Sequence, residues 1–234
     1  MVMKKRMEVM KQVNLEICCD ASLKKFNSRG SNRVFTCSGA ICINTGEETY
    51  AISQDSTNNR GELLAIYLGI KLAESTISKY PNMYNKISIY SDSQFGILGI
   101  RDWMVNWIKN QDSNGVLYGS NNKPVKNQNM FKMIITYCVT RNLVVHFYNQ
   151  KGHVNVNSQR ELALANRQYY DANGYYLKPE DIFKISFYND IVDKNSRNML
   201  DGINPDIYPV FNYNDNNDAM CRYIIPSNFK DFIK

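Results

Sequence analysis

The chain is expected to fold as a mixed α/β domain, a five-stranded sheet flanked by helices. Three of its strands should be antiparallel and the later ones parallel. Two patterns predict this. The first part of the chain holds three β-rich segments separated by turn residues, and from residue 57 onward helical and strand spacing alternate. Composition agrees: 234 residues with 44% hydrophobic and 21% charged side chains exclude wholesale disorder and leave room for one substantial core.

The elements follow in order. VNLEICCD (13–20) alternates apolar residues and reads as a strand ending in a carboxylate. KKFNSRGSNR (24–33) reads as a basic, turn-rich loop carrying Lys24, Lys25, Arg29 and Arg33. FTCSGAICIN (35–44) and EETYAISQ (47–54) are strands joined by a turn at Gly46, giving an antiparallel meander. Ser56, Thr57 or Asn58 can cap the helix that follows, with Glu62 near its start and Leu63, Ile66, Tyr67 and Ile70 at helical spacing. KISIYSD (86–92) is a β-branched strand that again ends in Asp. SQFGILGIRDWMVNWIK then reads as one or two helices. After a long loop (113–127), residues 128–141 form a helix, 143–150 a strand and 158–172 a helix stopped at Asn173-Gly174.

Residues 1–12 are a basic, Met-rich arm, 13–174 the domain, and 175–234 an irregular extension rich in Asn, Asp, Tyr and Pro, expected to pack on the domain in short pieces. No apolar run is long enough to span a membrane, and MVMKKRMEVMKQ lacks the continuous apolar stretch of a secretory leader. The six cysteines include no C-x-x-C pair and sit mostly in apolar runs, so buried thiols in a reducing, cytoplasmic compartment are expected. A net charge of +6 favours a polyanionic partner without identifying one.

Asp20, Glu62 and Asp92 stand out by placement: two at strand ends, one at a helix start. Carboxylates gathered in one place cannot all stay ionised without a cation, and magnesium suits such oxygen donors. Acids at element ends also serve as caps, so spacing alone leaves both readings open.

TNNRGELLAIYLGI, YSDSQFGILGI, NKPVKNQNMF and the KGH at 151–153, in this order on these elements, resemble ribonuclease H of type 1 over about residues 13–172. The resemblance implies the ribonuclease H-like fold and cleavage of RNA in RNA–DNA hybrids by two Mg²⁺ ions, with Mn²⁺ as substitute, leaving 5′-phosphate and 3′-hydroxyl ends. It makes Asp20, Glu62 and Asp92 metal ligands and gives His153 the family's loop-histidine role of relaying protons or assisting product release. His146, within a strand, reads as structural. It assigns Thr57, Asn58 and Asn59 to phosphate and minor-groove contacts, where a helix start offers free N–H groups. Gln94 falls to a base or sugar edge. Trp103, Trp107 and Lys126 fall to a basic protrusion that also holds Arg101, Lys109 and Lys123. The two tryptophans, one turn apart, equally suit a core stripe. The hybrid is the expected partner, and a monomer is expected.

One departure stands out. The family carries a fourth acid in its last helix, at the position of Ala163 here. Ala165-Asn166-Arg167 resembles the family's A-D-R, so Asn166 is the expected fourth ligand, with Glu161 and Asp171 as alternatives. A neutral amide would hold the second ion weakly and make Mn²⁺ comparatively effective. The missing acid also leaves a second reading, a hybrid-binding module with weakened catalysis.

Overall fold

The computed structural model describes residues 13–28, 31–54, 57–205 and 225–234. The basic arm 1–12, Arg29, Ser56 and Cys221 lie outside the described residues. Five strands form one sheet in the order β3-β2-β1-β4-β5. They are β1 (Val13–Ser28), β2 (Ser31–Cys42), β3 (Glu48–Gln54), β4 (Tyr84–Ser91) and β5 (Val145–Asn149). The first three pair antiparallel, and β4 and β5 join parallel to β1.

The expected basic loop at 24–33 is instead the far end of a long hairpin. Pairing continues through Lys24 opposite Phe35 and Phe26 opposite Arg33 to Ser28 opposite Ser31. An edge-on Phe26–Phe35 contact at 5.4 Å and Lys24 over the Phe26 ring at 4.9 Å stabilise this ribbon beyond the body of the sheet. Asp20 therefore lies within a 16-residue strand rather than at its end.

Alternation along β1 sorts the two faces. Leu15, Ile17, Cys19 and Ala21 join the core with α1 (Asn58–Lys79) and α4 (Gln128–Thr140). Gly69 of α1 allows close contact with β1, since a Cβ there would collide with Cys19 Sγ. Between β4 and α4 lie α2 (Gln94–Leu98), a π turn (Gly99–Trp103) and α3 (Met104–Lys109). On the other face Cys18, Ile41 and Tyr90 pack with α5 (Gln159–Asn173) and α6 (Pro179–Asp201).

Helix α6 corrects the expectation for 175–234. Over 179–201 the chain is one 23-residue helix, with Pro179 at its first position, rather than short pieces. It runs along β1: Lys184 pairs with Glu16 at 2.6 Å, Cys18 donates to the Ile185 carbonyl at 3.5 Å, and Ser22 donates to Asp193 at 3.0 Å. Ile182, Ile185 and Val192 are buried against the sheet, so a boundary at 174 does not separate this helix from the domain. Phe229 and Ile233 also enter the core, and residues 232–234 hydrogen-bond along the outer side of β5. Cys18, Cys19, Cys37, Cys42 and Cys138 are buried free thiols. Among the described residues no helix is long and apolar enough to cross a membrane.

Candidate metal centre and its cleft

Strand register places the first two acids. Cys19 of β1 lies opposite Ser91, the last residue of β4. The next residue on each chain is Asp20 and Asp92, so both carboxylates emerge side by side where the parallel pairing stops. Helix α1 brings the third. Thr57 caps it, its hydroxyl accepting from the Arg60 N–H at 3.3 Å, and the Ser38 hydroxyl binds the Gly61 carbonyl at 2.7 Å. A Cβ on Gly61 would press on Ala21 and Thr36 at 3.2 Å, so glycine lets the helix start lie close to β1 and β2. The following residue, Glu62, points into the same place. Asp20, Glu62 and Asp92 each offer an oxygen, and the three lie within 4.8 Å of one another.

Asp20 and Glu62 are buried. Asp20 Oδ1 accepts the Ala21 N–H at 2.7 Å, but Asp20 Oδ2 and Glu62 Oε2 have no hydrogen-bond partner. Burial, then the charges of Asp92 and Asp193, push the Asp20 carboxyl well above the usual carboxylate range. Burial and the charges of Asp20, Asp92 and Asp193 do the same to Glu62. Asp92 is raised by burial, with His153 opposing the shift. Buried acid oxygens facing one another without donors demand protons or a cation. An all-oxygen donor set with orphaned carboxylate atoms fits Mg²⁺ or Mn²⁺.

A fourth acid, Asp193, adjoins the three from α6. Its carboxylate accepts from the Ser22 hydroxyl, pairs with Arg197 at 2.6 Å, one turn along the helix, and lies 3.4 Å from His153 Nδ1. His153 is largely exposed and adopts the left-handed conformation, φ 51°. The residue before it must be small: a Cβ on Gly152 would overlap Asp92 Oδ2. The four acids and His153 line a cleft of about 650 Å³.

The other expected residues fall into three groups. Asn58, Asn59 and Gln94 line this cleft, and Thr57 lies at its edge as the α1 cap. Trp103 and Trp107 divide the two roles expected of them. Trp107 is buried against Phe131 with ring centroids 5.1 Å apart, while Trp103 is 38% exposed; both border a second hollow with Lys109 and Asn121. Lys126 is exposed. Arg101, expected on the basic protrusion, instead donates to the Phe147 and Ala172 carbonyls at 3.2 and 2.9 Å and to Asn173. His146 sits on β5, where burial and the charges of Lys86 and Lys234 lower its pKa.

Asn166 is the correction at the site itself. Its amide donates to the Leu177 carbonyl at 2.8 Å and accepts the Leu177 N–H at 2.9 Å, fastening α5 to the segment after it. Of its alternatives, Glu161 accepts from the Asn155 N–H at 2.9 Å, and Asp171 pairs with Arg167 at 3.4 Å. None of the three lines the four-acid cleft. The residue missed in the sequence is Asp193. Its signal was an acid within the spacing Ile182, Ile185, Asn189, Val192, Ser196 and Leu200, with an arginine four residues on.

A family model described as RNase H matches residues 12–167, two thirds of the chain. A ribonuclease H of Rickettsia massiliae (strain Mtu5) is 30% identical over 111 residues, 47% of this chain and 63% of that protein. One of Hahella chejuensis (strain KCTC 2396) is 34% identical over 97 residues, 41% and 56% of the two. The chain thus spans about six-tenths of the length of the curated relatives it matches. Among solved structures, LC11-RNase H1 in complex with RNA/DNA hybrid aligns at 16% identity and a TM-score of 0.34, covering 68% of this chain and 95% of that one. Asp20, Glu62, Asp92 and His153 fall inside the matched span and Asp193 beyond it, and on the strength of that span the chain belongs to the ribonuclease H family.

Proposed function

We propose that this protein is an endoribonuclease that hydrolyses the RNA strand of RNA–DNA hybrids with divalent metal ions, leaving 5′-phosphate and 3′-hydroxyl ends. The observation that carries the reading is the pair of buried, unpartnered oxygens, Asp20 Oδ2 and Glu62 Oε2, in an open cleft beside Asp92 and Asp193. Asp20, Glu62 and Asp92 would hold one Mg²⁺ ion, and Asp20, Asp92 and Asp193 a second. When bound, such ions lower the pKa of water and stabilise charge on attacking and departing oxygens.

The chain's own groups do the rest. Ser22 and Arg197 orient the Asp193 carboxylate. His153, exposed at the cleft mouth beside Asp193, is placed to exchange a proton with the departing 3′ oxygen or with solvent. Asn58, Asn59 and Gln94 present neutral donors and acceptors to sugar and base edges, which suits a wide minor groove and low sequence specificity. Trp103 and Lys126, both exposed, extend the contact beyond the cleft. The reading of a binding module with weakened catalysis rests on a missing fourth acid, and the place of Asp193 beside the other three favours the nuclease over it.

The test is cleavage of a labelled hybrid in Mg²⁺ and in Mn²⁺, beside single-stranded RNA, duplex RNA and an Asp20→Asn control. The hybrid alone should be cut. The control should lose on the order of 10³-fold, about 4 kcal/mol of barrier. A hybrid that binds and is cut in neither metal would make the chain a binding module.

A further inference from the structure

Helix α6 has a second face. Its inner side, from Ile182 to Leu200, is buried on the sheet and carries Asp193. Its outer side is not wholly polar. Phe183 and Phe187 stand there 43% exposed each, whereas every other phenylalanine among the described residues is buried or half-buried. Their rings lie nearly parallel, with centroids 6.2 Å apart. Half-buried Ile191 stands one turn further on. Phe183, Phe187 and Ile191 follow at four-residue spacing and so form one row along the helix.

Charge brackets this row. Glu180 and Lys194, both exposed, lie seven residues before Phe187 and seven after it. Seven residues are two turns, about 10.5 Å along the axis, and return to the same side of the helix within about 20°. The outer face therefore reads acid, apolar, base, with Phe187 at its midpoint. Such a face is complementary to itself when a second copy is given a half-turn about Phe187. Phe187 then meets Phe187, Phe183 meets Ile191, and Glu180 meets Lys194 twice. Lys194 already pairs with Asp190 at 2.5 Å, and an ammonium with three donors can serve both carboxylates.

We infer that the outer face of α6 is the contact of a twofold dimer of this chain, centred on Phe187. The helices run antiparallel, because a parallel alignment would set Glu180 against Glu180 and Lys194 against Lys194. The patch holds two phenylalanines and an isoleucine per copy, so the dimer belongs to the weak, concentration-dependent class and exchanges with the monomer expected from the sequence. Asp193 is on the opposite side of α6, against Ser22 and His153, so the four-acid cleft stays open in both copies.

The test is sedimentation equilibrium of the full chain from about 5 to 500 µM, the range in which weak dimers dissociate. It covers the wild type, Phe187→Asp, Glu180→Lys, Lys194→Glu and an equimolar mixture of the two charge variants. The wild type should pass from monomer to dimer within that range. Phe187→Asp should weaken association at least about a hundredfold, since two carboxylates would face each other on the axis. Each charge variant alone should weaken it about tenfold, because a twofold counts the substitution twice. The mixture should regain the wild-type association, since both contacts of the mixed dimer again join an acid to a base. The three substituted side chains are exposed, and thermal midpoints within a few degrees of the wild type would show that the fold is kept. A wild type that stays monomeric throughout would overturn the inference. So would a dimer indifferent to Phe187→Asp, or a mixture that associates no better than its two components.

Discussion

Asp193→Asn should lower hybrid cleavage by roughly 10²–10³-fold, about 3–4 kcal/mol, with the fold intact. The substitution keeps the shape of the side chain and an oxygen for the Ser22 hydroxyl, and removes only the charge that completes the four-acid cleft. Asn166→Asp makes the opposite change at the position that local likeness favours, and it should bring no gain at any Mg²⁺ concentration. It would cost stability instead, about 1–3 kcal/mol, because a carboxylate cannot donate to the Leu177 carbonyl that the Asn166 amide now satisfies. Turnover and thermal midpoints of the two variants check both halves. Full activity in Asp193→Asn, or a rise in Asn166→Asp, would return the fourth position to α5.

The second large effect concerns pH. In the metal-free protein the Asp20, Glu62 and Asp92 carboxyls are raised above their usual range, chiefly by burial, with neighbouring carboxylates adding to the shift of Asp20 and Glu62 and His153 opposing that of Asp92. The folded chain therefore keeps protons that the unfolded chain has already released. Over that window the folded state binds more protons, so stability falls as pH rises from the ordinary carboxylate range, about 4, through the raised values. In EDTA the thermal midpoint should drop as pH rises above the ordinary carboxylate range, and saturating Mg²⁺ should flatten the curve by replacing the protons. Asp20→Asn should raise the metal-free midpoint at pH 8 by several degrees, at about 2–4 °C per kcal/mol for a chain of this size, while abolishing cleavage. A midpoint indifferent to pH and to Asp20→Asn would mean that the acids do not strain one another.

The sheet was legible because its strands alternate or run apolar, and because β4 and β5 are short runs rich in β-branched or aromatic residues. What misled was polarity in the wrong place. KKFNSRGSNR looks like a loop because Phe26 is its one apolar residue, while Lys24 and Arg33 find their partners outside the segment, at Asp201 and Gln54. Helix α6 has a clear contact face, but Ser186, Asn189, Asp193 and Ser196 stand among the apolar residues of that face and blur its period. Those same polar residues are where the helix meets functional groups: Asn189 accepts from buried Gln150, and Asp193 meets Ser22 and His153. Local likeness put Asn166 at the site because α5 follows the histidine loop directly. The structure turns α5 toward β5 through buried Ala165 and Tyr169 and carries the fourth acid on the next helix. Asp20, Glu62, Asp92 and His153 needed only their own strand, helix or loop to be recognised. Asp193 acts on Asp20 through its charge from 173 positions away, and its only local trace is its place on the contact face of α6.

The measurement that bears most directly on this account is Mn²⁺ binding at equilibrium, followed by the electron spin resonance of the free ion, for the wild type, Asp193→Asn and Asn166→Asp. Asp193→Asn should bind Mn²⁺ at least about tenfold more weakly, the loss of one charged ligand, and Asn166→Asp should match the wild type. Unchanged binding in Asp193→Asn together with altered binding in Asn166→Asp would contradict a metal centre completed by α6.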